Sequence, residues 1–307
     1  MARSALAGLI VRRCAAAVAF VMIVACAAFL LVRLAPGDAA TDLQIRVADP
    51  EVIAATRARL GLDQPLTTQF GRWLVGLAHF DLGQSSTFGR PVTALVADRL
   101  LNTAQLAGLA LVLATLVGLP LGVLSGARPD SWLAKSVTAV SLVIAACPPI
   151  IATLILLWVA VMTGWLSVKA GSLTLPVIAL AAPVAAMLER LQSQSSAEAA
   201  HSTSVLAAAA RGIPSSRLTW IHATRQSLRP VLGVYGVVVA TLFSGSIAVE
   251  TITDWPGLGR LTLEAVQGRD LFLVSGCALA GAVLIAASNL AADLLRLAID
   301  PRLRSAT

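Results

Sequence analysis

The sequence predicts an all-α integral membrane protein with six transmembrane helices, and composition together with charge placement carries that prediction. Of its 307 residues, 57% are hydrophobic and 13% charged, with a mean hydropathy of +0.83; a soluble chain is about one-quarter charged. No Asp, Glu, Lys or Arg occurs in 14–32, 100–127, 136–168, 170–188, 230–249 or 271–292. Each run reaches the ~18 apolar residues that cross a bilayer core as a helix. Lipid offers no partner to a bare backbone, so only helices or a closed barrel can span it. "LVLATLVGLPLGVL" lacks the alternation of barrel strands.

The first run follows Arg3, Arg12 and Arg13, as a signal peptide would, but Cys14–Val32 exceeds the ~7–15 residues of a signal core and Arg33 follows it directly. It reads as a retained helix over 1–33. An extracytoplasmic helical segment is expected over 34–99. In "DPEVIAATRARLG", Asp49 is placed as N-cap, Pro50 at the first helical position and Gly61 as a stop. "DQPLTTQFGRWLVGL" sets Leu66, Phe70, Trp73, Leu74 and Leu77 on one helical face, suited to the lipid interface or to the flank of another span.

The rest, 100–307, reads as a core of five transmembrane helices. The second span begins after Asp98-Arg99 and ends at the tight turn "GARPDSW". The run 136–168 is too long for one straight helix, and Cys147-Pro148-Pro149 must break it, because proline lacks a backbone donor and clashes with the preceding turn. The break is either a bundle kink or part of a substrate path. Ser196–Ala210 reads as a helix stopped by Gly212, with Pro214 starting another at its first turn. His222, Arg225 and Arg229 follow along one edge of that second helix.

Charge also predicts orientation. The 189–229 loop holds five Arg against two Glu, and Arg296, Arg302 and Arg304 follow the last span. Glu250, Asp254, Glu264 and Asp270 outnumber Arg260 and Arg269 in 250–270. By the positive-inside rule both termini and 189–229 are cytoplasmic, and 250–270 lies outside. The net charge of +7 reports loops and implies no nucleic acid. Cys14, Cys26, Cys147 and Cys277 lie in apolar runs without metal-ligand spacing and read as small buried hydrophobes.

Several chemistries have no residues to run on. Neither lysine, Lys135 nor Lys169, follows a glycine, so there is no phosphate-binding G-x-x-x-x-G-K-[ST] loop. No paired carboxylates, H-x-x-x-H or G-x-S-x-G motif lies near a span, so the chain is expected not to be an enzyme and to carry no catalytic, cofactor or metal residues. Ion-coupled carriers keep ionisable groups at membrane depth, whereas Glu189, Glu250 and Asp293 fall at run edges and read as helix-end or interfacial charges. Candidates for lining a path are therefore uncharged: Asn102, Thr103 and Gln105, Pro148 at the break, Ser244 and Ser246, and Asn289. Helix–helix hydrogen bonding is the competing role for the polar ones.

Six stretches in order carry a resemblance: "LVRLAPGD", "LGLDQPL", "FDLGQSSTFGRPV", "DRLLNTAQLA", "ETITDWPGLGRLTLEAVQGRD" and "NLAADLLRLAIDPRLR". Together they resemble the permease subunits of binding-protein-dependent ABC importers, in the dipeptide/oligopeptide/nickel branch. The Ala- and Arg-rich, Lys-poor composition resembles an actinobacterial dipeptide permease. The resemblance implies a type I ABC importer permease fold in a bacterial cytoplasmic membrane. A second homologous permease, two ATPases that bind ATP and Mg, and an extracytoplasmic substrate-binding lipoprotein complete the machine. Small peptides are the implied cargo, with nickel complexes, glutathione or haem as alternatives and a stand-alone secondary carrier as a distant one.

It further implies a coupling loop over 192–229, in which a short helix fits a groove on an ATPase. The matching residues are Glu198, Val205, Ala208, Ala210, Arg211, Gly212 and Pro230. The external motif matches at Glu250, Trp255, Pro256, Gly257, Gly259, Arg260 and Asp270. The chain departs from the branch before Gly212, where Ser202–Ala210 holds small residues instead of an acidic pair, a tyrosine and arginines.

Overall fold

The computed structural model describes residues 2–34, 51, 63–166, 169 and 171–299. The helix expected over 49–61 lies outside the described residues, apart from Glu51. The order is α1 (Ala2–Leu34), α2 (Leu66–Ala78), α3 (Val92–Ala127), α4 (Trp132–Ala146), α5 (Pro149–Thr163), α6 (Thr174–Ala200) and α7 (Thr203–Ala210). Then come α8 (Ser215–Arg217), a π-helical turn (Leu218–Ala223), α9 (Thr224–Leu232), α10 (Tyr235–Ile252), α11 (Leu258–Gln267) and α12 (Leu271–Ile299).

Among the described residues, five helices are long and apolar enough to cross a membrane, and α4 with α5 forms a sixth, broken candidate bent by 110°. Each half has 15 residues, about 22 Å at 1.5 Å per residue, short of the ~30 Å hydrocarbon core. The break falls at the expected prolines: α4 ends at Ala146 with Cys147 as its C-cap, Pro148 is the N-cap of α5 and Pro149 its first residue. Ser131 accepts the Ala134 N–H at 3.2 Å and caps α4 after the predicted turn.

Three boundaries differ from expectation. Helix α3 starts at Val92, ahead of Asp98-Arg99, because a charge pair ends an apolar run without ending a helix. The helix expected over Ser196–Ala210 is two: α6 stops at Ala200, a turn follows, and Ser202 is the N-cap of α7. Pro214 sits at the N-cap of α8, one residue earlier than expected.

The chain divides into two compact units. The first comprises Met1–Arg13, Ala104–Trp255 and Ala287–Thr307. Within it α6 packs against α4, α5, α9 and α10. Its core joins Leu106, Ala110 and Ala114 of α3 to Leu180, Val184 and Leu188 of α6 and Val238, Leu242 and Val249 of α10. Helices α3 and α6 approach closely along Gly118, Gly122 and Gly126. A Cβ at these positions would lie 2.6, 2.5 and 2.3 Å from the carbonyl oxygens of Ala185, Glu189 and Ser193. This is a G-x-x-x-G-x-x-x-G seam, in which hydrogen in place of side chains lets two backbones touch. Between two long helices, Arg13 Nη1 of α1 meets Asp293 Oδ2 of α12 at 3.0 Å.

The second unit comprises Cys14–Thr103 and Pro256–Ala286. Here α2 lays its predicted apolar face on α1. Phe29 stacks obliquely on Trp73 and Phe70, with ring centroids 5.2 and 5.4 Å apart, and Ala25, Leu74 and Leu77 complete the cluster. Of the two settings expected for this amphipathic helix, the flank of a span is the one observed.

Candidate functional site

The segment from Glu198 to Pro230 forms a helical hairpin. Val205 and Ala208, one turn apart, face inward with 6% and 7% exposure. Val205 clusters with Ala199 at the end of α6, Ala223 and Leu218. Gln226 Nε2 donates to Ser204 Oγ at 2.7 Å, tying α9 to α7. The opposite face of α7, with Leu206, Ala207, Ala209 and Ala210, is exposed. Arg211 is exposed, and so are Glu198 in the last turn of α6 and Pro230 inside α9.

Gly212 closes α7 in the left-handed region, at φ +79°. Its N–H donates to Ala209 O at 2.9 Å, and Ile213 N–H donates to Ala208 O at 3.4 Å. A Cβ there would meet nothing within 4 Å. The demand for glycine is thus one of backbone angle and not of space. The π-helical turn that follows is fixed by Thr224 Oγ1, which donates to Thr219 O at 2.8 Å.

The 250–270 residues divide between the units. Glu250 is fully buried in α10, and its carbonyl accepts the Trp255 N–H at 2.9 Å. In the second unit, Asn102 Nδ2 donates to Pro256 O at 2.8 Å. Thr103 Oγ1 accepts the Leu258 N–H at 2.7 Å, so α3 supplies the cap of α11 that Gly257 cannot. Gly259 is buried, and Arg260 Nε pairs with Glu264 Oε1 at 2.9 Å. Asp270 is fully buried. Its carboxylate accepts Ser85 Oγ at 2.6 Å, Thr87 N–H at 3.0 Å and Leu273 N–H at 3.1 Å, so it caps α12 and anchors the 85–87 loop.

The candidate path residues are scattered. Ser244 lies in a groove of about 530 Å3 with Pro149, Ile150, Val237 and Thr241, next to the exposed Pro148. Thr103 and Ser246 are fully buried; the Ser246 hydroxyl donates to Phe243 O at 2.9 Å. Gln105 and Asn289 are exposed, and Asn289 covers Gly236. Glu189, expected as an interfacial charge, is buried with 1% exposure, because Ser125 Oγ meets Glu189 Oε1 at 2.7 Å across the glycine seam. Of the cysteines, Cys277 is buried as expected, whereas Cys26 and Cys147 are half-buried and Cys14 is exposed.

Sequence reasoning missed a buried polar ladder beside the hairpin. Gln192 Nε2 donates to Ser196 Oγ at 2.8 Å and to Ser227 Oγ at 2.7 Å. The signal available was the spacing of Glu189, Gln192 and Ser196 at i, i+3 and i+7 opposite a glycine seam.

The family described as "Binding-protein-dependent transport system inner membrane component" matches residues 118–305, and its N-terminal companion family matches 6–107. The chain belongs to this family. Among relatives of the inner membrane component, a protein named as a peptide transport system permease of Brucella abortus is 35% identical over 96% of this chain and 98% of its own length. The oligopeptide transport system permease AppB of Bacillus subtilis is 30% identical over 97% and 99%. The glutathione transport system permease GsiC of Salmonella paratyphi A is 31% identical over 92% and 94%. A solved chain of the MetNI methionine ABC transporter, in inward-facing conformations, shares the fold with a TM-score of 0.56 and 18% identity, over 67% of this chain and 96% of its own. The fold is thus that of a type I importer permease, and the family member is a multi-pass component of the cytoplasmic membrane, not a catalytic subunit.

Proposed function

We propose that this chain is the pore-forming permease subunit of an ATP-driven importer that carries dipeptides and short oligopeptides inward. It works beside a second homologous permease, two ATP-binding subunits and an extracytoplasmic substrate-binding lipoprotein. ATP and Mg bind on the ATPase partners. Both termini and the 198–230 hairpin face the cytoplasm, and 250–270 faces outward. The arginine distribution supports this orientation, and the Arg13–Asp293 pair, between the N-terminal third of α1 and the C-terminal third of α12, supports the two ends sharing one side.

The observation that carries the reading is the exposed small-residue face of α7, held on a buried Val205–Ala208 edge and ended by a left-handed glycine. A helix whose exposed side chains are mostly methyl groups can enter a groove closely and gain dispersion contacts over its length. It does so without the charged partners seen in the branch. The AppB relative favours peptide cargo. The GsiC relative supports a second reading, in which the cargo is glutathione, itself a tripeptide.

The test reconstitutes the permease pair and ATPases in liposomes with the loaded binding protein, for wild type and Gly212→Val. A β-branched residue held at φ +79° costs on the order of 1–2 kcal/mol or more, which shifts the helix end. Wild type takes up labelled peptide only with ATP, and Gly212→Val hydrolyses ATP while uptake collapses. Normal uptake by the variant contradicts the hinge, and ATP-independent uptake by this chain alone contradicts the importer.

A further inference from the structure

We infer that Gln192, Ser196 and Ser227 are positioning residues of the coupling step, locking α9 to α6 so that motion of the hairpin tilts α6 instead of bending at the turn. The inference rests on the importer reading above. The three side chains are 0%, 3% and 2% exposed. They form a closed triangle in which Gln192 Nε2 reaches both hydroxyls at 2.7–2.8 Å, and the hydroxyls lie 3.3 Å apart. Ser227 is on α9, beyond the π-helical turn, whereas Gln192 and Ser196 are on α6. The triangle therefore bridges the two ends of the hairpin, bypassing both the His201–Ser202 turn and the Gly212 hinge. The same stretch of α6 runs close against α3, where a Cβ on Gly122 or Gly126 would strike Glu189, Gln192, Ser193 or Ser196, and where Ser125 bonds Glu189.

Stability alone is a poor account of these groups. Gln192 Oε1 and Glu189 Oε2 are buried without a hydrogen-bond partner among the described residues, and a half-satisfied buried polar group costs about as much as its bonds return. An apolar side chain of similar volume at 192 would pack at least as well. What only the amide supplies is direction. Its two bonds fix the rotation of α9 about α6, as buried polar residues fix register elsewhere. Without them α9 meets α6 through non-directional contacts such as those of Val231, and can slide.

The experiment compares wild type, Gln192→Met and Ser227→Ala in the reconstituted importer. It measures peptide taken up per ATP hydrolysed and the stimulation of hydrolysis by loaded binding protein. Both variants assemble and retain unstimulated hydrolysis. Uptake per ATP falls about tenfold, the scale of one lost buried hydrogen bond, and stimulation falls with it, because the signal from loaded binding protein to the ATPases passes through the same α6–α9 contact. A merely structural role lowers the amount of complex and both activities in proportion, leaving the ratio and the stimulation unchanged; that result overturns the inference, as does wild-type behaviour in both variants. If wild type itself shows no ATP-dependent uptake, the importer reading fails instead.

Discussion

At the scale of residues, the molecule separates glycines that serve angle from glycines that serve space. Gly212 has room for a side chain and lacks the backbone angle for one, whereas Gly122 is helical and a Cβ there would strike Glu189 O. Alanine at 122 should therefore lower the thermal unfolding midpoint of the purified protein, by an overpacking cost of about 1–3 kcal/mol. Alanine at Gly108, which has nothing within 4 Å, should raise it slightly, because helical glycine costs about 1 kcal/mol relative to alanine. Equal effects at the two sites would contradict the seam. Asp270 is the other decisive residue. Asn at 270 keeps the shape but turns an amide donor toward either the Ser85 hydroxyl and Thr87 N–H or the Leu273 N–H. Leaving such buried donors unpaired should cost about 1–3 kcal/mol each and open 85–91 to limited proteolysis; unchanged protection would show that the carboxylate is not the anchor.

Among elements, legibility followed the physics each signal reports. Uncharged length found the long helices, since lipid tolerates neither charge nor bare backbone. Proline chemistry found the α4–α5 break, and glycine found the end of α7. The turn at His201–Ser202 was hidden among good helix formers, with Ser202 as its only mark. The start of α3 was hidden because charges within a helix look, to a hydropathy window, like its end. The polar ladder was invisible for a different reason. Glu189 read as a helix-end or interfacial charge, and Gln192 and Ser196 as part of the following loop; only the fold shows that α3 and α9 close over them. The candidate path residues were read by polarity alone. Asn102 and Thr103 turned out to spend their side chains on the backbone around Pro256 and Leu258. Thr103→Val therefore removes the cap of α11 and should destabilise the second unit by about 1 kcal/mol, measurable as faster hydrogen exchange at Leu258. Exchange equal to wild type would assign the cap elsewhere.

For the whole molecule, the account proposed is of a membrane bundle in which the exposed small-residue face of α7 passes force from partner ATPases into α6. Leu206 lies at the centre of that face and is 55% exposed. The most direct measurement places a photo-crosslinking residue at 206 in the assembled importer and identifies what it captures, with Phe80, 86% exposed in the other unit, as the comparison. The account predicts an ATPase subunit captured from 206 and not from 80. Capture of the ATPase from 80, or of lipid alone from 206, would contradict it.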